Sequence, residues 1–193
     1  MNPFPPERLG AAGRARHTAL VDGNQHATDP DRFITLHEAA ETLLDELTER
    51  YQVERRETKE PLGLDEALAR TVRLIPRIPT AAPLAIQFAE PSLHLRLGRW
   101  WTRTLPVCGC DRCDEDPKLL AEQLHRHAGA LVEGGLWERV RRGVSGSFYE
   151  ARLIGAGVRV DQEGPLSAAG ARDARRGGFA AAVQWTPWQL RSC

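Results

Sequence analysis

Apolar residues recur at spacings of three and four from Phe33 through Leu36, Ala40, Leu43, Leu44 and Leu47 to Tyr51. That period predicts a helix over residues 30–53 with one face buried. Asp29-Pro30 offers a cap and a first-turn proline, while Thr35 and Glu38 have capping-box spacing and would start the regular helix at Leu36. His37 lies beside the stripe as a surface or packing residue. The charged stretch 54–61 reads as a link. Residues 64–75 fit a helix or a strand, until Pro76, Pro79 and Pro83 remove backbone donors and end the element.

The period then changes to two. Leu84, Ile86 and Phe88 share one face of a predicted strand over 83–89, and Leu93, Leu95 and Leu97 share one face of the next, which puts His94 and Arg96 on the other. Gly98-Arg99 suits a two-residue turn into a strand over 100–105. Trp100 and Trp101 are adjacent on that strand and so point to opposite faces, one into the core. Asp116-Pro117 is a second cap with a first-turn proline, opening a helix whose stripe is Leu120, Leu124, Ala128 and Leu131 and which Gly134-Gly135 ends. Short strands follow at 136–141, 147–154 and 158–161, then a short helix at 165–176. Trp185-Thr-Pro-Trp188 reads as a seal on an edge of the core.

Together these elements predict an α+β fold: a single domain over residues 28–193, with a mainly antiparallel sheet packed against two or three helices and a cysteine-rich loop between a hairpin and a helix. Residues 1–27 mix Pro, Gly, Ala and polar positions without period and read as a flexible arm.

The chain has 193 residues, with 26 basic and 26 acidic side chains. It is long enough to fold on its own core without disulfides. The zero net charge conceals a polarity: residues 28–66 carry −7 and residues 67–107 carry +5, read directly from the sequence. An acidic helix packed near a basic sheet, with the charges interleaved at the surface, accounts for this split. No apolar run has the length of a membrane span and no h-region opens the chain, so the expected location is cytoplasmic. In that compartment the four cysteines are expected as thiols or metal ligands rather than disulfides.

Three of the cysteines fall within Cys108-Gly-Cys110-Asp-Arg-Cys113-Asp-Glu115. Thiolates at this spacing can converge on one borderline cation, so Cys108, Cys110 and Cys113 are the candidate ligands of a zinc ion. A fourth ligand would come from His94, His125, His127, Asp111, Asp114 or Cys193. His127 shares the leucine stripe and reads first as a core or boundary histidine, whereas His125 projects from the flank. In a closed site the zinc would be structural. With an open position it would act as a Lewis acid, and Asp114 or Glu115 would carry the proton.

Two other chemistries fit the residues. Cys110 and Cys113 form a C-x-x-C before a helix N-terminus, as a redox or redox-sensing thiol pair would, although the surrounding carboxylates oppose thiolate formation. Arg96, Arg99, Trp100, Trp101 and Arg103 would suit nucleic acid or an acidic partner if the indoles were exposed. Arginine outside and tryptophan inside is also ordinary strand construction, which makes nucleic acid the weaker reading. No phosphate loop, nucleophile elbow or other catalytic constellation occurs, so the chain leans away from an enzyme.

Asp31-Arg-Phe33 with Leu36-His37, the proline-punctuated stretch 76–83, Gly98 with Trp100, the CGCDxCDE cysteine segment and the terminal Trp185-Thr-Pro-Trp188 together resemble an actinobacterial family of unknown function. The resemblance runs from about residue 28 to 191. It implies a cytoplasmic protein of this size built around the cysteine motif, with no activity or cofactor attached.

Overall fold

A computed structural model describes residues 30–62, 68–108, 113, 115–155 and 157–192. The predicted arm over 1–27 lies outside the described residues. A 3-10 turn, Pro30–Phe33, leads into α1 (Ile34–Arg50), which has Phe33 at its N-cap without a side-chain bond. The capping box therefore does not start this helix. Nor does the helix reach Val53. Tyr51 turns extended after donating its N–H to Leu47 O, and Gln52 N–H is taken by Gln189 O at 2.8 Å.

The charged stretch read as a link is a strand, β1 (Val53–Pro61), paired antiparallel along its length with β2 (Leu68–Pro76). Its only buried residue is Val53, because β1 is the edge of the sheet and is guarded by charge on both faces. From Leu68 on, the ambiguous stretch before Pro76 thus resolves as strand, and its residues 64–67 lie outside the described residues. The meander continues through β3 (Leu84–Ala89), β4 (Ser92–Leu97) and β5 (Trp101–Leu105), giving a five-stranded sheet in chain order. Gly98 sits at φ +60, and the connection takes Trp100 as well, so β5 starts one residue later than the pattern predicts.

Next comes α2 (Pro117–Val132), capped by the Asp116 carboxylate, which accepts the Lys118 N–H at 2.8 Å. A second antiparallel sheet follows, of β6 (Leu136–Gly143), β7 (Gly146–Gly155), β8 (Val158–Leu166) and, beyond α3 (Ala168–Arg176), β9 (Val183–Gln184). Its spatial order is β8-β7-β6-β9. β8 runs five residues past its predicted end, through Pro165, because an edge strand tolerates the missing N–H on its open side. The last helix accordingly begins at Ala168, with Ser167 Oγ accepting the Gly170 N–H.

The α1 and α2 stripes and the inner face of the first sheet, Val72, Leu74, Ile86, Leu93, Leu95 and Leu105 among them, form one core. The two tryptophans separate as their alternation predicts. Trp101 is fully buried in this core, while Trp100 joins a smaller cluster with Val140, Ala174 and Phe179. The C-terminal segment straps the fold: Trp188 Nε1 donates to Ala82 O at 2.8 Å, and Tyr51 bridges Leu190. Two antiparallel sheets and three helices make the fold α+β. No helix among the described residues is long and apolar enough to cross a membrane.

The opposite charge blocks do meet at the surface. Arg70 binds both Glu41 of α1 and Glu57 of β1, Arg55 binds Asp45 and Glu57, and Arg73 binds Glu60. Glu41 and Asp45 on α1 thus have partners on the sheet that packs beneath it.

Candidate functional site

The cysteine segment joins the end of β5 to the start of α2. Pro106 is buried and Val107 exposed; Cys108 is half-buried and Cys113 exposed. Cys110, Asp111, Asp114 and Cys193 lie outside the described residues. What holds the connection is Glu115. Its carboxylate accepts the Cys108 N–H at 3.1 Å through Oε2, and the Val107 N–H approaches Oε1 at 3.5 Å. Its own carbonyl accepts from the Arg32 guanidinium at 3.1 Å. One residue later Asp116 caps α2 with its carboxylate, and its carbonyl takes the Leu120 N–H. With both oxygens facing backbone donors, Glu115 clasps the two ends of this connection.

The histidines proposed as a fourth ligand separate. His127 is buried at 2% exposure, with its ring edge-on to Trp101 at 4.9 Å between centroids. Burial, then the Arg103 and Arg126 charges, push its pKa down to about 4. It is the core histidine that its place on the leucine stripe allows. His125 is exposed on the flank of α2. His94 lies on β4 opposite the leucines; its Nδ1 is 3.3 Å from Thr104 Oγ1, and burial lowers its pKa. His37 packs edge-on to Phe88 and its Nε2 reaches Pro91 O at 3.3 Å. Among the described residues, no group of three or more His, Cys, Asp or Glu side chains is placed to hold a metal ion.

The Arg/Trp strand offers no stacking platform. Trp101 and Trp100 are 0% and 8% exposed, and Arg99 is paired with Asp173 at 2.6 Å. Arg103, expected on an outer face, shares the inward face of β5 with Trp101 and Leu105 and lies half-buried near His127.

Sequence reasoning missed the most deeply buried carboxylate of the described chain. Glu138 of β6 is 0% exposed and accepts the backbone N–H groups of Arg99 and Trp100 at 3.1 and 2.7 Å, and Trp185 Nε1–H at 2.8 Å. Burial raises its pKa, and those donors oppose the rise. A signal existed: in Leu136-Trp-Glu-Arg-Val140 the alternation puts Glu138 on the same face as two apolar residues. This carboxylate holds the β4–β5 turn against the second sheet. Fully buried and met by these donors, it has the arrangement of a structural anchor.

On the far side of the second sheet an open depression of about 360 Å³ lies over Trp137, Arg139, Glu150, Arg152, Asp161 and Glu163. Its charges satisfy one another: Arg139 and Arg141 bind Glu150, Arg152 binds Asp161, and both Arg139 and Arg152 lie over the Trp137 ring. That is the pattern of a solvated sheet face.

Comparison with curated proteins and with solved structures returned no match. A family model does match, over residues 20–192, nearly the whole chain, and its description is a family of unknown function. The chain belongs to that family, DUF6226.

Proposed function

We propose that this chain is a zinc-binding protein in which Cys108, Cys110 and Cys113 supply thiolate ligands and the ion is structural, tying the β5–α2 connection. The observation that carries this reading is the Glu115 clasp. It ties the backbone at Val107 and Cys108 to the residue just before α2, so the segment bearing all three cysteines leaves and returns at one place. Three cysteines within six residues, on a segment tied at both ends, can converge on a borderline cation such as zinc. His127 drops out as the fourth ligand because its ring is packed on Trp101. His94, His125, Asp111, Asp114 and Cys193 stay in contention. Val107 and Leu119, at 66% and 59% exposure, flank the segment on both sides and suit a protein partner docking there. A reducing, cytoplasmic location fits thiolate ligation.

The test is metal content by mass spectrometry on chain purified without chelator or nickel, with thiols counted on the same sample. One zinc per chain, with thiols protected until a chelator is added, supports the reading. Metal-free chain with a reversible disulfide between Cys110 and Cys113 replaces it with the thiol-redox one. Metal-free chain with inert thiols removes both.

A further inference from the structure

We infer that the tip of the β6–β7 hairpin, with the arginines of α3 beside it, is a surface that docks on an anionic lipid bilayer. The inference is independent of the zinc reading.

Val144 and Ser145 connect the two strands, between Gly143 and Gly146, the last pair of the β6–β7 ladder. Val144 is wholly exposed, at 111%, the highest value among the large apolar side chains of the described residues. Cations stand just behind it. Arg142 pairs with Ser147, one step back from the two glycines, and residues directly opposite one another project on the same face. Ser147 Oγ accepts from Arg175 Nη2 at 2.8 Å, which brings the last turn of α3 onto that face beside Arg142. Arg172 and Arg176 are both exposed and lie four apart on α3, with Arg175 between them, so the three form one side of the helix.

The acids in this neighbourhood are committed elsewhere. Asp173, the one acid of α3, binds Arg99, while Glu150 and Glu163 bind Arg139 and Arg141 on the far side of the sheet. Arg142, Arg172, Arg175 and Arg176 are left without an ion pair among the described residues. Like charges three and four apart repel along a helix, and the dipole at its C-terminus offsets only part of that. An anionic surface removes the rest. Arg142 is two residues behind Val144, about 7 Å at strand spacing, a span its own side chain covers. An apolar tip with guanidinium groups at that depth lets valine enter the headgroup layer while the cations meet lipid phosphates and carboxylates. Nucleic acid fits less well: the residue at the tip is aliphatic and offers no stacking face, and the chain as a whole has 26 basic and 26 acidic residues.

The experiment sediments the full chain with vesicles of phosphatidylcholine alone and of equal parts phosphatidylcholine and phosphatidylserine, at low and at physiological salt. Wild type should bind the mixed vesicles, less as salt rises, and should stay in solution with the neutral ones. Arg142→Gln, Arg172→Gln and Arg176→Gln should each weaken that binding about fivefold. Val144→Ser should weaken it as well, and Val144→Trp should strengthen it, because an indole partitions to the bilayer interface. All four side chains are exposed, so these variants keep the fold. Arg159→Gln removes an exposed arginine beside the β7–β8 turn, at the other end of the same sheet, and should leave binding unchanged. Wild type that stays in solution with both vesicles overturns the inference. So does a loss in Arg159→Gln equal to that in Arg142→Gln, which would make the attraction diffuse. Binding indifferent to both Val144 variants overturns it too, and makes the patch a site for a soluble polyanion such as nucleic acid.

Discussion

The side-chain amide of Gln162 reads the open edge of the first sheet: its Oε1 accepts the Thr102 N–H at 3.0 Å and its Nε2 donates to the Thr102 carbonyl at 2.7 Å. Thr102 lies on β5, whose other edge is taken by β4, so these two groups would otherwise have no strand to meet. A primary amide carries a donor and an acceptor at the spacing of a peptide group, and here it stands in for one residue of a sixth strand. The two sheets are joined by this imitation on one side and by Glu138 on the turn at the other.

Gln162→Leu removes both partners of Thr102 while leaving the side chain's bulk. The Thr102 N–H and carbonyl are then left unpaired at the junction, which should cost about 1–3 kcal/mol. Denaturant unfolding of the two proteins measures it; an unchanged midpoint would show that solvent replaces the amide without loss.

Glu138 makes a pH-dependent contribution whose sign follows from burial. Its folded pKa lies above the ordinary carboxylate value of 4.5, so the folded state holds the proton more tightly than the unfolded one. Stability from this group is fully present below that value and is lost as pH rises through the folded pKa. Glu138→Gln cannot titrate, and its amide places one donor among the N–H groups at every pH, as the protonated carboxyl does only in acid, which should cost at most about 1–3 kcal/mol. Its deficit relative to wild type should be largest in acid and shrink as pH rises. Carboxylates such as Glu57, Glu60 and Glu150 shift the other way in both proteins and cancel in the difference. A deficit that stays flat with pH contradicts the assignment.

Gly98 is required for two reasons at once. Its φ of +60 disfavours a side chain, and a Cβ there would lie 2.5 Å from Leu136 Cδ2 and 2.7 Å from Glu138 Oε2. Strain and overpacking each cost about 1–3 kcal/mol, so Gly98→Ala should lose roughly 2–5 kcal/mol, read by thermal or chemical unfolding. A loss below 1 kcal/mol, the ordinary cost of left-handed backbone alone, would mean that the second sheet yields to the intrusion.

Most of the first sheet is legible in the chain because Leu84, Ile86, Leu93, Leu95 and Leu97 alternate on a half-buried surface, and α2 is legible because Asp116-Pro117 caps it and leucines stripe it. β1 is not, since an edge strand with charge on both faces carries no period of two. The division into two sheets is hidden for a different reason. Gln162 and Glu138 make the joint, and their partners lie 60 and 38 or 39 residues away in sequence. In the cysteine segment, spacing names the candidate ligands of the proposal. It does not name the clasp, because Glu115 stands in a run of acids and only the fold selects which of them meets the Cys108 amide.

His127 should govern part of the acid limb of stability. Its pKa falls from 6.5 in the ordinary state to about 4 in the fold, so the unfolded chain takes up a proton that the native chain refuses. The stability this histidine supports at neutral pH is therefore lost as pH falls from 6.5 to about 4, a change of about 3 kcal/mol at one pKa unit per 1.36 kcal/mol. The charges facing it, Arg103 from β5 and Arg126 from α2, remain cationic throughout and add no titration of their own. His94 is shifted in the same direction by burial, but it is present in both proteins and cancels in a comparison. His127→Leu extends the leucine stripe and cannot titrate, so its stability relative to wild type should rise steadily between pH 6.5 and 4. Denaturant midpoints at half-unit pH steps measure that difference, and parallel curves for the two proteins would show that folding leaves the His127 pKa unshifted.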